Sequence, residues 1–514
     1  MPFRKKFFLG LIICWVFFAC NEDDPLPKDT SLVRIESLLF DFPPEDLNSR
    51  KLDLLSWTHV LENEIDINFR NMDSGEVYTI LLDNGNFPSE EIALPFGSYE
   101  ITGESPGGLV SETLPFYVNE RRQIITEKTL LSLPAETKHG LFTLNRAEVK
   151  DQPKLSVSDS YTLFQTQEFY YFYCEFDQDY NLLLSPLESP VSFEYNWSSL
   201  PLEHHHLNLE REGEEPDLIR FETPSFTYNE SVIDIDSEGF PTSLTYKKIA
   251  DLGASQAENS GLAYFDGRLF SINDGGNSSE VFEINPKSGE VIRSITLANV
   301  SNIDWEDLAQ SDSHLFIGDF GNNNGTRQDL RILSVPWEEI LIKDETQAEV
   351  LPFKYENQSD FSGQNPNHDF DCEAFIYENG QFRLFTKNKS NRETYHYILE
   401  ENSTNGVAIK IGSIDTKGQV TGASLNDQNE LILIGYNLDG FESDTFIWET
   451  KTFSNDMLGK NGRRYSLGSP LNLGQNEGVI HTGPSSILIS AEGINSGVLQ
   501  LNPNLVKTKL PETN

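Results

Sequence analysis

The stretch Asn476-Glu477-Gly478-Val479-Ile480, followed by Ser486-Ile487-Leu488-Ile489-Ser490-Ala491-Glu492, decides the fold, because four earlier stretches repeat its pattern. Ser260-Gly261-Leu262-Ala263-Tyr264 leads to Arg268-Leu269-Phe270-Ser271-Ile272-Asn273-Asp274. Trp305-Glu306-Asp307-Leu308-Ala309 leads to His314-Leu315-Phe316-Ile317-Gly318-Asp319. Cys372-Glu373-Ala374-Phe375-Ile376 leads to Phe382-Arg383-Leu384-Phe385-Thr386-Lys387-Asn388, and Thr421-Gly422-Ala423-Ser424-Leu425 leads to Glu430-Leu431-Ile432-Leu433-Ile434-Gly435. Each unit opens on a small or acidic residue, then gives a short apolar strand, a polar turn and a second apolar strand. Third and fourth strands follow, at 281–285 and 291–297 or at 395–399 and 407–414.

Aligned on Gly261, Asp307, Ala374, Gly422 and Gly478, the units are spaced by 46, 67, 48 and 56 residues. Four short strands per unit of about 40–50 residues is the periodicity of a β-propeller. Insertions around 337–345 and 358–369 account for the long second spacing, although a sixth blade hidden there stays open. The small residues at each unit's start suit innermost strands, which converge on a central channel. The fifth unit is short after Leu499-Gln500-Leu501, and residues 245–252 can supply its missing outer strand. The ring would then close with no exposed edge.

Working toward the N-terminus, residues 31–240 are β-rich without a repeat. Ile65, Ile67 and Phe69 alternate with polar residues, as do Tyr99 and Ile101, and residues 169–176 form an aromatic run typical of a buried strand. Turn signals at Asp83-Asn84-Gly85 and Pro106-Gly107-Gly108 punctuate the region. One or two antiparallel sandwiches are expected. Residues 208–240 turn acidic and polar and read as a linker or an edge hairpin. The chain is thus expected to be all-β: a signal segment at 1–20, a tether at 21–30, a sandwich-like region at 31–240 and a propeller at 245–503.

The start of the chain predicts export. Arg4, Lys5 and Lys6 precede an apolar run at 7–19 that is too short for a permanent bilayer span. Ala19-Cys20 closes that run, and Asn21-Glu22-Asp23-Asp24 follows. The junction resembles the lipobox of bacterial lipoproteins, and the acidic tail resembles the surface-export signal of lipoproteins from the Bacteroidetes phylum. That resemblance implies lipidation at Cys20 and a lipid-anchored place in the outer membrane, facing the periplasm or the cell surface. An ordinary cleaved signal with a chance cysteine is the alternative. Cys14, mid-run after Ile13, is disfavoured as the acceptor.

The 514 residues carry 81 Asp and Glu against 38 Lys and Arg, a formal net charge of −43. Such a surface repels nucleic-acid phosphates. It suits cations, carbohydrates and other neutral small molecules, or a protein partner. Only Cys174 and Cys372 lie in the body, in regions read as separate, so no disulfide framework is expected.

The topology also assembles a candidate site. The first two strands of a blade are antiparallel, so the start of one and the end of the other share one mouth of the channel. That gathers Glu258, Asp304, Glu306, Asp307, Asp371, Glu373 and Glu477 with Asn273, Asp274, Asp319, Lys387, Asn388, Tyr436 and Glu492. Carboxylates so close repel unless protonated, paired or neutralised by a cation. Glu306, Glu373 and Glu477 occupy equivalent positions in three blades. With Asp319 and Asn273 they are expected to hold a divalent ion, most plausibly Ca²⁺, which takes oxygen ligands. Asp274, Asp307, Asn388, Tyr436 and Glu492 are expected to line the ligand site.

Asn273-Asp274-Gly275-Gly276, Asp304-Trp305-Glu306-Asp307, Gly318-Asp319-Phe320-Gly321-Asn322-Asn323, Phe385-Thr386-Lys387-Asn388 and Asn476-Glu477-Gly478 together resemble a family of secreted bacterial propeller proteins with no assigned reaction. More remotely, residues 245–503 resemble the calcium-dependent lactonase and gluconolactonase propellers, from which blade count and ligand spacing depart. The remote resemblance implies a Ca²⁺-dependent hydrolase; at this mouth, Glu306 or Glu373 would be the base for lactones or phosphate esters. The alternative, favoured because no histidine is positioned for proton transfer, is a non-catalytic envelope binding protein.

Other motifs yield less. Asn322-Asn323-Asn324-Gly325 reads as a tight turn, since Gly321 breaks a calcium-loop pattern. Consecutive His204, His205 and His206 cannot all face one metal in an extended strand, and a solvated loop is expected there. Acidic Asp371 and Glu373 flank Cys372 and make it a poor nucleophile.

Overall fold

The computed structural model describes residues 29–40, 54–83, 91–214, 219–223, 225–403, 406–438, 443–451, 453, 462–495 and 500–513. The signal segment with Cys20, and nearly all of the tether, lie outside the described residues. Among these residues no helix is long and apolar enough to cross a membrane. The chain divides into two compact units.

The first unit is a seven-stranded sheet in the order Val77–Asp83, Glu64–Asn71, Gly97–Ser105, Phe116–Ile125, Thr129–Glu136, Thr30–Phe40, Ile92–Pro95. Its alternating strands do what their period of two dictates. Ile65, Ile67, Phe69, Tyr99 and Ile101 all point into one buried core with Val33, Val118 and Leu133.

The second unit holds a sandwich and the propeller. In the sandwich, one sheet is built around His139–Asn145, Phe169–Glu175, Glu203–Arg211 and Thr227–Ile235, and the other around Lys154–Ser156, Asp179–Leu184 and Val191–Ser198. Phe142, Phe172 and Leu207 from the first meet Tyr180, Leu182 and Phe193 from the second. The sheets of both units are mixed rather than purely antiparallel, since Thr30–Phe40 runs parallel to Thr129–Glu136, and Glu203–Arg211 runs parallel to both of its neighbours. Residues 227–235 are therefore an edge strand of this sheet, not a linker or a hairpin. The three histidines also depart from expectation, because they lie in a buried strand rather than a solvated loop. Their alternation holds. His204 and His206 share the Thr143 hydroxyl at 2.7 and 2.9 Å, while His205 takes the Tyr195 hydroxyl at 2.8 Å.

Among the described residues the propeller has five blades and no sixth. The innermost strands are Asn259–Phe265, Trp305–Gln310, Cys372–Glu378, Gln419–Leu425 and Gln475–His481; each neighbours the next, and the fifth returns to the first. The small residues at their starts are required by this approach. A Cβ on Gly261 would lie 2.6 Å from the Asp307 backbone, and one on Gly478 would lie 2.7 Å from the Ser260 carbonyl. The long second spacing is spent on the neighbours. Glu345–Thr346 extends blade one, Lys354–Tyr355 extends blade three, and Trp337 of a short helix stacks on Phe265 at 4.5 Å.

The ring closes where the two ends of the propeller segment meet. Lys247–Asp251 pairs antiparallel with Asn504–Lys509, completing blade five. This last strand lies past residue 503, so the propeller runs further than its apolar pattern indicated; Pro503 and the alternating Lys507 and Lys509 hide it. Sandwich strand Val191–Ser198 holds both partners. Asn196 donates to Thr245, Lys509 ion-pairs with Glu194 at 2.5 Å, and Val191 and Ser192 pair with Thr513 and Glu512.

Candidate functional site

The ends of the inner blade strands bring one carboxylate oxygen each from Asp274, Asp304 and Glu306 within 4.8 Å of one another. Asp274 directly follows the second strand of blade one, Asp304 directly precedes the first strand of blade two, and Glu306 is the second residue of that strand. Asn302 fixes the junction: its amide donates to the carbonyls of Asn273 and Asp274 at 3.0 and 2.9 Å, and its Oδ1 accepts from Trp305 N–H at 3.1 Å. Two glycines border the trio. A Cβ at Gly321 would overlap Glu306 Oε1 and lie 2.6 Å from Asp304 Oδ2, and one at Gly275 would overlap Asp304 Oδ1. The backbone is thus drawn against the carboxylates on two sides.

Beside this trio lies a lysine-centred group. Lys387 Nζ is 3.4 Å from Glu373 and sits 5.4 Å from the centre of the Tyr436 ring. Burial works to discharge Lys387, but Glu373, Tyr436, Glu477 and Glu306 outweigh it and hold the ammonium well above its ordinary pKa. Lys387 is therefore a fixed cation, not a nucleophile. Burial raises Glu477 well above the ordinary range, with Lys387 opposing. Burial and the charge of Glu373 raise Glu306 in the same way. Glu373 accepts a hydrogen bond from Glu306 and titrates at about 7, raised first by burial, with Lys387 pulling it down and Asp371 pushing it up. Burial, then Asp274, lifts Asp304 to about 6 and Glu492 to about 7. Burial also raises Asp274.

Several expected ligands are committed elsewhere. Asp319 is fully buried between Arg327 and Arg331, with guanidinium nitrogens 3.0 and 2.7 Å from its two oxygens, and it accepts the Asp304 N–H at 3.1 Å. Two permanent cations already neutralise it, so it is not left for an ion. Glu373 and Glu477 face Lys387, and the carboxylates that converge on one point are those of Asp274, Asp304 and Glu306, of which Asp274 accepts the Gly275 N–H. Asp307 turns into the channel and accepts backbone N–H groups from Leu308, Phe375 and Ala423 at 2.8, 3.1 and 3.2 Å. It ties three blades together and is not a ligand group. Asn388 accepts from Thr386 at 2.6 Å and donates to Asn391 at 3.3 Å. Asn273 donates to the Ser255 carbonyl at 2.8 Å, while its buried Oδ1 has no hydrogen-bond partner among the described residues. Glu492 accepts from Gln475 at 3.3 Å.

The residues missed from sequence are basic. Arg327 and Arg331 neutralise Asp319, and Lys389 stands 3.1 Å from the fully buried Asp371. Asp371 also accepts the Asn322 N–H at 2.7 Å. Asn322 makes the expected turn, with Gly325 N–H donating to its carbonyl at 2.8 Å and Gly325 at φ +67. Cys372 is buried and free; burial, more than Glu373, raises its thiol pKa.

These titrations set a pH dependence. Glu373 and Glu492 near 7, and Asp304 near 6, are raised above their unfolded values. Raised acids stabilise the fold fully below the unfolded pKa and lose that contribution as pH climbs through the folded one. Buried His139, His205, His206, His396 and His481 are lowered and work oppositely, but above about pH 7 the unfolded chain too has lost most of these protons. With chelator present, the melting temperature should therefore fall between about pH 7 and 8, where Glu373 and Glu492 lose their protons. Calorimetry across that window checks it, and a flat or rising curve would contradict the shared-proton picture.

No known protein family matches the sequence, and no curated protein does. Among solved structures, the chain is similar to the PQQ-bound aldose sugar dehydrogenase of Streptomyces coelicolor, at 11% identity over 53% of this chain and 99% of that one, with a TM-score of 0.34. It is also similar to a putative glycoside hydrolase of Bacteroides ovatus, at 10% identity over 49% and 86%, with a TM-score of 0.30. Likenesses of that degree identify neither a ligand nor a reaction for this chain.

Proposed function

We propose that the propeller is a binding module whose mouth holds a divalent cation, Ca²⁺, on Asp274, Asp304 and Glu306, and presents it to a small ligand or partner. The convergence of those three oxygens carries the reading. Three carboxylates at that separation either keep protons or share a cation, and an all-oxygen donor set suits a hard ion such as Ca²⁺. The ion would compete with the protons that Asp304 and Glu306 otherwise take. Glu373, Lys387 and Tyr436 stand beside it as a fixed polar wall that orients what binds.

The test is a calorimetric Ca²⁺ titration of the full chain beside the Glu306→Gln variant, which keeps the shape and removes a charge. Saturable binding that the variant weakens is expected, and identical behaviour of the two proteins would overturn the assignment. The same samples separate the enzyme reading, which Glu373 titrating near neutrality favours. If lactones or esters are turned over and Glu373→Gln abolishes turnover without unfolding, the module is a Ca²⁺-dependent hydrolase.

We also propose that the protein is anchored to the outer membrane through Cys20, on the strength of Ala19-Cys20 closing the apolar run. Mass spectrometry of the mature N-terminus should find a lipidated cysteine; an unmodified terminus downstream of it would end the proposal.

A further inference from the structure

Blades three and four share one apolar core, in which Ile376 and Phe385 meet Leu433, Phe446, Trp448 and Phe453. Phe453 follows the third strand of blade four, Asp444–Thr450, and is tied to that blade. Its N–H donates to the Asn429 carbonyl at 3.0 Å, and its own carbonyl accepts from the Asn429 amide. From there its ring reaches across the seam to two basic side chains of blade three. The His396 ring lies 5.7 Å away, centre to centre, and the Arg383 guanidinium lies 5.8 Å from the same phenyl centre. His396 is wholly buried and stacks on Phe385 at 4.9 Å. Neither of its nitrogens has a hydrogen-bond partner among the described residues, so no acceptor there holds a charge on it.

The surrounding charges all disfavour a proton on this imidazole. Arg383 is the charged group that acts on it. Glu378, 3.1 Å from Arg383, and Glu400 balance that guanidinium and not the imidazole. On the next strand of blade three, Gly412 stands opposite His396, and Lys410 turns to the other face, over the Tyr395 ring. On blade four, Trp448 points into the seam while Glu449 points away from it, to Lys451 and Tyr465. A protonated His396 would thus set two cations against one phenyl ring. Aromatic faces attract a cation, but less than the water that burial removes. Burial, then Arg383, accordingly lowers His396 to about 3, against 6.5 for an ordinary histidine. A lowered histidine contributes stability that is present above its unfolded pKa and lost as pH falls below it. The raised carboxylates of the mouth change in the opposite sense. We propose that the seam between blades three and four is an acid-sensitive switch with His396 as its sensor. In mild acid the imidazole takes a proton only by leaving the seam, and blade four parts from blade three while the rest of the propeller holds.

The experiment is amide hydrogen exchange of the full chain at about pH 7.5 and about pH 5, read by mass spectrometry and corrected for the intrinsic pH dependence of exchange. Between those conditions the proton should favour the open seam by roughly 30-fold, at tenfold per pH unit below the ordinary histidine pKa. Protection of Glu393–Glu400 and Asp444–Thr450 should fall by that factor, and protection of Trp305–Gln310 in blade two should not. His396→Phe keeps a flat ring in the seam and should remove the loss. His481→Phe, at the seam where His481 meets Ser424, should leave the loss in Glu393–Glu400 unchanged. If His396→Phe does not fold, NMR titration of the wild-type histidine ring protons takes its place, and His396 should stay neutral in the folded chain at about pH 5.5. Equal loss of protection in every blade, or the same loss in His396→Phe as in wild type, would overturn the proposal. So would a His396 midpoint near the ordinary histidine value with the fold intact.

Discussion

Replacing Asp307 by alanine should destabilise the propeller by about 3–9 kcal/mol, since it leaves three backbone N–H groups unsatisfied at roughly 1–3 kcal/mol each. Those groups belong to Leu308, Phe375 and Ala423, in three different blades, and all three residues are buried. Burial pushes the Asp307 carboxyl well above its ordinary pKa while the three donors pull it down, so the folded state holds an acceptor that is expensive to desolvate and more expensive to lose. Asp307→Asn keeps one acceptor oxygen for Phe375 and Ala423, and should cost less than half as much. Calorimetric unfolding of the full chain reads both variants. At roughly 2–4 °C per kcal/mol, the alanine variant should melt at least about 6 °C lower. A shift within about 1 °C would mean that water satisfies these donors and that Asp307 is not the pin of the ring.

Gly321→Ala should abolish the calcium response while leaving every carboxylate in place. The added methyl would occupy the space of Glu306 Oε1 and press on Asp304 Oδ2 at 2.6 Å, so the trio must spread. At a Ca²⁺ concentration of 100 times Kd, wild type should gain about 2.7 kcal/mol of stability, and the variant almost none. The comparison is made with and without chelator, so any strain from the methyl itself is subtracted. An undiminished calcium response in Gly321→Ala would place the ion elsewhere, most directly beside Asn273 Oδ1, which has no hydrogen-bond partner among the described residues.

The propeller was legible because each blade restates one pattern, and because Gly261, Gly422 and Gly478 mark where backbones crowd. The ring closure was legible for a related reason: a short fifth unit needs an outer strand, and an orphan strand precedes the first. What escaped notice is instructive. Glu345–Thr346 and Lys354–Tyr355 are too short to carry a period, and they join sheets of blades other than their own. The topology gathers acidic side chains at the strand ends, yet which of them a basic side chain neutralises was not visible. Arg327 and Arg331 follow Asp319 by 8 and 12 residues, a spacing that no local rule connects. The pairing exists only because an extended turn returns the chain to the same blade. His204 to His206 looked polar and therefore exposed, but Thr143, Thr223 and Tyr195 supply partners that make their burial tolerable.

The clasp that closes the ring has a mechanical consequence. Residues 247 and 507 lie opposite each other at the same end of the paired strands, so tension applied there would peel the pairing one bond at a time instead of shearing it. Unprotected, such a seam is the weakest line in a toroid. Here both lips are sewn to one sandwich strand, through Asn196 with Thr245 and through Glu194 with Lys509. Any pull arriving through the chain from the sandwich meets that stitch before it meets the seam, and the torus can yield only after the sandwich strand lets go.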